Sequence, residues 1–481
     1  MCGIVGIYNS PKAPEESYLA LLMLQHRGQD SAGIFSFDQE SHSFYGEKNL
    51  GHIKEALPEN QIINLKGNCA IAHTRYSTIG KIRKEEIQPM IMNYPYGIIM
   101  AHNGNIINSN KVGQELREKK RRMVLSKNDL EVMMNIFAEN LSKPHDVLSF
   151  DEIKGAVKEV HNSLKGAYST VSYIADQGMV AFKDPFGIRP LVWGKRKLTE
   201  EEKDLNKSDH DYSYAVASES KSLEFLGYED IQELKQGQLL YFAKDGNIYS
   251  EVLSELLPRP CMFEWIYFAN ADSSIWDRNV YQVRLELGKH IGQKIKELNW
   301  DIDTIVPVPD TSRPSAITIA EELAKPYREV LIKNRYAQRT FILNTQKDRE
   351  KAVSLKMNVV KEEVQGKNIL LVDDSIVRGT TSKKIINLLR KNGAKSVYIV
   401  STCPKIVSPC FYGIDFPTIK ELYAGSNKPN SKDFNADSLK YLSLKGLLDA
   451  VNKKRGDLCM ACITGKYPTQ EGTSRFKEQH E

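Results

Sequence analysis

Short apolar blocks, many of them β-branched or aromatic, punctuate the first half of the chain: Gly3 to Tyr8, Ala70 to His73, Ile98 to His102, Tyr168 to Ile174, Val180 to Lys183 and Tyr214 to Ser218. Runs of this kind between turn-forming residues predict strands. Helical spacing is confined here to Glu16 to Gln25 and Asp129 to Glu139, so this half is expected to be sheet-rich. From about Val306 the texture changes. Asn368 to Val372 reads as a strand; Ser382 to Lys391 then puts Ile385, Ile386, Leu388 and Leu389 on one helical face, and Ser396 to Ser401 reads as a strand again. Gly393 stands where a C-terminal helix cap belongs. Strand, helix, strand predicts a parallel α/β sheet. Pro258 and Pro260 mark the change. The boundary is placed near Leu257, with domains at 2–257 and 258–468 and a polar tail, 469–481, expected to fray.

Composition narrows the class of protein. The 481 residues carry 66 Lys and Arg against 61 Asp and Glu, a net charge of +5 that is too small to mark a nucleic-acid-binding chain. At 41% hydrophobic and 26% charged, the composition is that of a globular protein. No apolar run approaches the roughly 18 residues of a membrane span, and Met1 to Ile7 lacks the basic region of a secretory signal. A cytoplasmic protein without nucleic-acid or membrane partners is expected. The charged run from Arg196 to Asp211 reads as a solvated surface insertion. Seven cysteines in a long cytosolic chain point to reactive, metal-binding or buried thiols rather than to a disulfide framework.

Cys2 follows the initiator methionine, whose removal would leave a thiol and a free α-amine on one residue. The amine can take up and return the thiol's proton, so nucleophile and base share one carbon. By itself a second-position Cys is also compatible with an inert small hydrophobe. Cys2-Gly3-Ile4-Val5-Gly6-Ile7, His26-Arg27-Gly28-Gln29-Asp30-Ser31-Ala32-Gly33, His73-Thr74-Arg75-Tyr76-Ser77-Thr78 and His102-Asn103-Gly104-Asn105, in that order, resemble the glutaminase domain of the N-terminal-nucleophile amidotransferases. That resemblance implies an α+β, αββα-sandwich domain with Cys2 as nucleophile. It also implies an oxyanion hole from the Asn103 side chain and the Gly104 N–H, with Arg75 and Asp129 binding the α-carboxylate and ammonium of glutamine. Asn128-Asp129-Leu130-Glu131-Val132 matches the family pattern with Asn in place of Ser. Alone, Arg75 reads as a surface or ion-pair arginine and Asn103-Gly104 as a hairpin turn. His26, His73 and His102 are expected to be structural.

In the second half, Ile369 to Thr381 runs as an apolar strand, two acids, then a hydroxyl- and glycine-containing loop opening a helix. Loop and helix N–H groups can hold a phosphate, and the acids can reach sugar hydroxyls and a divalent cation. The segment resembles the phosphoribosyl pyrophosphate (PRPP) motif of type I phosphoribosyltransferases, which implies an α/β domain binding PRPP through Asp373, Asp374, Ser375, Arg378, Gly379, Thr380 and Thr381. Val306 to Ser312 resembles the family's pyrophosphate loop, with Ser312 joining Asp373 and Asp374 at Mg²⁺. Lys333 to Ile342 resembles its closing loop, with Lys333 and Arg339 on the substrate.

Cys459-Met460-Ala461-Cys462 is a C-x-x-C pair, a pattern that serves zinc, redox chemistry or iron–sulfur clusters. With both halves in one chain, the sequence resembles the glutamine phosphoribosylpyrophosphate amidotransferases of iron–sulfur type. The resemblance implies a 4Fe-4S cluster on Cys261, Cys410, Cys459 and Cys462, leaving Cys69 and Cys403 as buried strand residues. It further implies ammonia passing internally from Cys2 to the second site, phosphoribosylamine as product, purine nucleotide feedback and a homotetramer. Gln338, Ser354 and Ala269-Asn270-Ala271 depart from the family pattern and bear on lid closure and interdomain signalling. A nucleotide-sensing regulator would not need Cys2, and amidotransferases with other acceptors lack Val372-Asp373-Asp374-Ser375.

Overall fold

The computed structural model describes residues 2–76, 83–141, 147–207, 210–333, 357–426 and 429–479. Two antiparallel sheets lie face to face in the first half. In one, Cys2–Tyr8 sits between Cys69–Arg75 and Tyr212–Ala217 among seven strands; in the other, Ile98–Ile106 and Gly166–Ile174 lie among six. Ile4, Ile71, Ile99, Val171, Met179 and Phe242 fill the space between them. Helix Ala13–Met23 covers the outer face of the first sheet, and helices Asp129–Asn140 and Phe150–Ser163 that of the second. The layers are helix, sheet, sheet, helix, as the family resemblance implies.

Several strands are longer than their apolar blocks. Ile98–Ile106 continues through Asn103 and Gly104, paired with Ser169 and Tyr168, where a lone Asn-Gly would suggest a turn. Pairing wins because only glycine fits: a Cβ on Gly104 would lie 1.9 Å from the Ala167 carbonyl oxygen. Helix Phe150–Ser163 lies outside the helical spacing read from the sequence; a Ser149–Glu152 capping box opens it.

The second half holds four parallel strands in chain order, Thr304–Pro307, Asn368–Asp373, Ser396–Ser401 and Ser438–Tyr441. Helices Val280–Glu297 and Arg313–Leu323 cover one face and Thr380–Lys391 the other. Burial on both faces explains why Ile369 to Val372 is apolar without alternation. No helix among the described residues is long and apolar enough to cross a membrane.

The charged run forms helix Glu200–Asn206, capped by Thr199 and without a buried residue, in keeping with a solvated insertion. The tail corrects the expectation of fraying. Helix Gln470–Glu478 is capped by Thr469, whose Oγ1 lies 2.9 Å from the Tyr412 hydroxyl, and Phe476 packs on Tyr467 with Arg475 over Phe411. Two ring contacts, a hydroxyl bond and a cap outweigh a polar composition. Phe476→Ala should therefore cost about 2 kcal/mol, roughly half the loss of a fully buried phenylalanine. A thermal melt unchanged by that substitution would make the helix a bystander.

Candidate active site

The sandwich brings one residue from each sheet together at its end. Cys2 opens its strand opposite Arg75, and its backbone nitrogen donates to Asn103 Oδ1 of the facing sheet at 3.1 Å. Asn103 is fully buried, and its Nδ2 has no hydrogen-bond partner among the described residues. A buried amide donor left unpaired costs free energy unless a ligand completes it. Arg75 donates from Nη1 to the Glu86 carbonyl at 2.9 Å. Asp129 begins helix Asp129–Asn140, accepting from Ile106 N–H at 2.8 Å and lying 3.1 Å from His102 Nε2. Burial works against its charge, but His102 and the Ile106 bond hold its pKa below the ordinary aspartate value. His73, fully buried, is driven well below the usual imidazole range by burial and by Arg75 and His102, which suits a structural, neutral histidine.

In the second half, Asp373 ends its strand and Asp374 follows in the loop. Ser382 donates to Asp373 at 2.9 Å, and Ser375 to Asp374 at 2.7 Å. Burial and the neighbouring acid push Asp373 well above the ordinary range, and burial raises Asp374 as well. Gly379, at φ +74°, turns the loop into helix Thr380–Lys391; a Cβ there would meet the Phe434 ring at 2.6 Å. Asp373 to Ser375 and Arg378 to Thr381 line a cavity of about 520 Å³. His26, Arg27, Gln29 and Tyr76 of the first half line the same cavity. Ser312 is not brought to the acids: it is fully buried, with its hydroxyl donating to the Val308 carbonyl of its own loop. Lys333 is exposed and pairs with Asp310 at 3.2 Å. Arg339, Gln338 and Ser354 lie outside the described residues.

Two family models match the chain, a glutamine amidotransferase domain over residues 73–224 and a phosphoribosyl transferase domain over 279–409. Curated relatives named amidophosphoribosyltransferase match almost end to end. That of Escherichia coli is 41% identical over 98% of this chain and 93% of its own length; that of Methanocaldococcus jannaschii is 40% identical over 98% of each. The chain belongs to the amidophosphoribosyltransferase family. As an amidophosphoribosyltransferase it is a glutamine amidotransferase and a glycosyltransferase in one chain, making phosphoribosylamine, glutamate and pyrophosphate at the first step of purine synthesis. A solved glutamine PRPP amidotransferase of Bacillus subtilis, complexed with ADP and GMP, superposes with a TM-score of 0.84 at 35% identity, covering 98% of each chain.

The two halves of this amidophosphoribosyltransferase are joined by buried charge. Glu219 accepts from Arg27 of the first half and from Asn270 N–H and Ser273 Oγ of the second, at 2.9 and 2.8 Å, with His26 Nε2 at 2.7 Å. Arg27 also donates to Glu264 at 2.8 Å, and Arg189 lies 3.6 Å from the other Glu264 oxygen. None of Arg189, Glu219 or Glu264 stood out in the sequence. Of this network only His26 and Arg27 fall within a motif read from the sequence, and burial of a charge leaves no periodic signal.

Cys261, Cys459 and Cys462 are buried and Cys410 half-buried. Cys261 and Cys459 face each other across an isolated parallel bridge, and the charge on Cys410 would act on all three other sulfurs, so the four share one neighbourhood beside Arg189. Among the described residues, no group of three or more His, Cys, Asp or Glu side chains is placed to hold a metal ion. Cys69 is a buried strand residue, whereas Cys403 is buried just beyond its strand.

Burial alone would raise the Glu219 pKa, but Arg27 and His26 outweigh it and hold the carboxylate far below the usual 4.5. Its contribution to stability is present above that ordinary value and is lost as the pH falls toward the depressed one. Glu219→Gln should destabilise the protein at neutral pH by about 3 kcal/mol. It should also flatten the fall in melting temperature from about pH 5 to about pH 3. Equal acid slopes in variant and wild type would remove Glu219 from this role.

Proposed function

We propose that Cys2, freed of Met1, attacks the glutamine amide with its thiolate while its own α-amine handles the proton. The bond from the Cys2 nitrogen to Asn103 would then orient that amine. The unpaired Asn103 Nδ2 and the Gly104 N–H stabilise the tetrahedral oxyanion, while Arg75 and Asp129 hold the substrate's carboxylate and ammonium. Asp373, Asp374, Ser375, Arg378, Gly379, Thr380 and Thr381 hold PRPP, and Lys333 and Arg339 close over it. The observation that supports the reading is the cavity that the Asp373 to Thr381 loop shares with His26, Arg27, Gln29 and Tyr76 of the first half; ammonia passing through it would reach the anomeric carbon with less exposure to bulk water. We place the boundary between the two activities near Leu257 and the enzyme in the cytoplasm. Regulation by purine nucleotides fits the ADP and GMP bound in the Bacillus subtilis relative, and a homotetramer is proposed with it.

Two adjacent buried carboxylates of raised pKa suit a cation, and Asp373 and Asp374 would hold Mg²⁺, without Ser312. Bound Mg²⁺ supplies charge neutralisation to the leaving pyrophosphate. The four cysteines suit a 4Fe-4S cluster: they share a largely buried neighbourhood, and Arg189 offers a counter-charge to thiolates. The cluster would be structural.

Cys2→Ala should abolish glutamine-dependent synthesis and spare synthesis from ammonium salts. Loss of both would overturn the two-site reading, as would glutamate release from glutamine, PRPP and Mg²⁺ without pyrophosphate. Asp129→Asn removes a charge-assisted contact and should raise the glutamine KM by about 10- to 100-fold while leaving ammonia-driven turnover unchanged. Protein purified without oxygen should contain iron and labile sulfide; zinc in their place would disprove the cluster.

A further inference from the structure

The segment Glu264–Phe268 is a single π-helical turn, closed by one bond from Ala269 N–H to the Glu264 carbonyl at 3.0 Å. So short a turn leaves most of its carbonyls without helical partners. Arg284 takes up two of them and the carbonyl that follows the turn. Its Nε donates to the Trp265 carbonyl at 2.9 Å, and its Nη2 to those of Tyr267 and Ala269 at 3.2 and 2.8 Å. Its backbone is held in turn: Arg284 lies in Val280–Glu297, its own carbonyl accepts from Ser315 Oγ at 2.7 Å, and the next carbonyl from Thr318 Oγ1 at 2.8 Å. Only 4% of Arg284 is exposed, and Asp374 and Glu219 are the charged groups that act on it.

What the turn carries gives this arrangement its meaning. Phe263, Tyr267 and Phe268 line the cavity that the Asp373 to Thr381 loop shares with His26, Gln29 and Tyr76 of the first half. Their rings pack on one another at 5.0 to 5.9 Å, and Phe263 meets Phe416 edge-on at 5.0 Å. We infer that Arg284 is a positioning residue for ammonia transfer: by tying two carbonyls of this turn and the one after it to a fixed helix, it holds the aromatic wall that keeps ammonia between the two sites. The role rests on the proposed passage of ammonia through this cavity. A lysine keeps the charge but not the planar fork that serves carbonyls in different directions, so the wall would loosen with both reacting sites intact.

The test measures glutamate and pyrophosphate together in wild type, Arg284→Lys and Tyr267→Ala, with glutamine or with ammonium chloride as nitrogen donor. Wild type should release the two in equal amounts. Arg284→Lys should keep ammonia-driven synthesis while its glutamate-to-pyrophosphate ratio rises at least about threefold. Tyr267→Ala should uncouple similarly, and the double variant should add little to either single one, because both act on one wall. An unchanged ratio in Arg284→Lys overturns the inference, as does a parallel fall of glutamine- and ammonia-driven rates, the mark of a merely structural residue. A wild-type enzyme that is itself uncoupled would remove the passage, and with it this role.

Discussion

A carboxylate that never meets water holds the two halves of this enzyme in register. Glu219 is fully buried among a guanidinium and an imidazole from its own half and an amide and a hydroxyl from the other. An ion so placed is tolerated only if its lone pairs are satisfied, and no pairwise rearrangement of the domains keeps all four donors. The halves are thus fixed by geometry rather than by apolar area alone. Arg27 extends the constraint to Glu264, and Glu264 to Arg189 beside the cysteines.

The consequence is that three chemically unrelated regions share one short stretch of chain. Cys261 belongs to the thiol group, Glu264 to the charge network, and Phe263, Tyr267 and Phe268 to the cavity. A second such junction lies at Cys410. Two residues after Phe411, whose carbonyl accepts from Asn105 Nδ2 at 2.9 Å, Gly413 packs so tightly on Gly104 that a Cβ would sit 2.9 Å from the Gly104 oxygen. The thiol region therefore touches both the wall of the cavity and the strand bearing the oxyanion donors. A change in the packing of the thiol region would be felt at both places, with no conformational signal required.

Legibility in the sequence followed the range of the forces involved. Blocks such as Ile369 to Val372 and Ile98 to His102 announced their strands because burial on a pleated surface writes a local pattern. Residues whose chemistry is fixed by neighbours in sequence, Cys2 and the Asp373-Asp374 pair, were legible for the same reason. Ser312 was misplaced because its loop is local but the direction of its hydroxyl is set by the Val308 carbonyl. Glu219, Arg189 and Arg284 were invisible because their partners lie elsewhere in the chain, and nothing in a list of residues distinguishes a buried arginine from a surface one. The tail was misread because one aromatic and one cationic contact, with a cap, are enough to order a helix whose composition is polar.

The two reaction centres hold groups that a ligand can complete. Glu219, by contrast, meets four fixed donors of the protein, and Arg284 spends its Nε and Nη2 on three carbonyls. At Asn103 a buried amide lacks an acceptor, and at Asp373 and Asp374 two acids are pressed together in a place that disfavours their charge. In the proposed reaction an oxyanion would relieve the first and a cation with its polyphosphate the second, so binding of each ligand would recover stability that the free enzyme forgoes. If ammonia passes through the aromatic-walled cavity as proposed, the shape of that cavity is what must stay constant for the two reactions to remain in step.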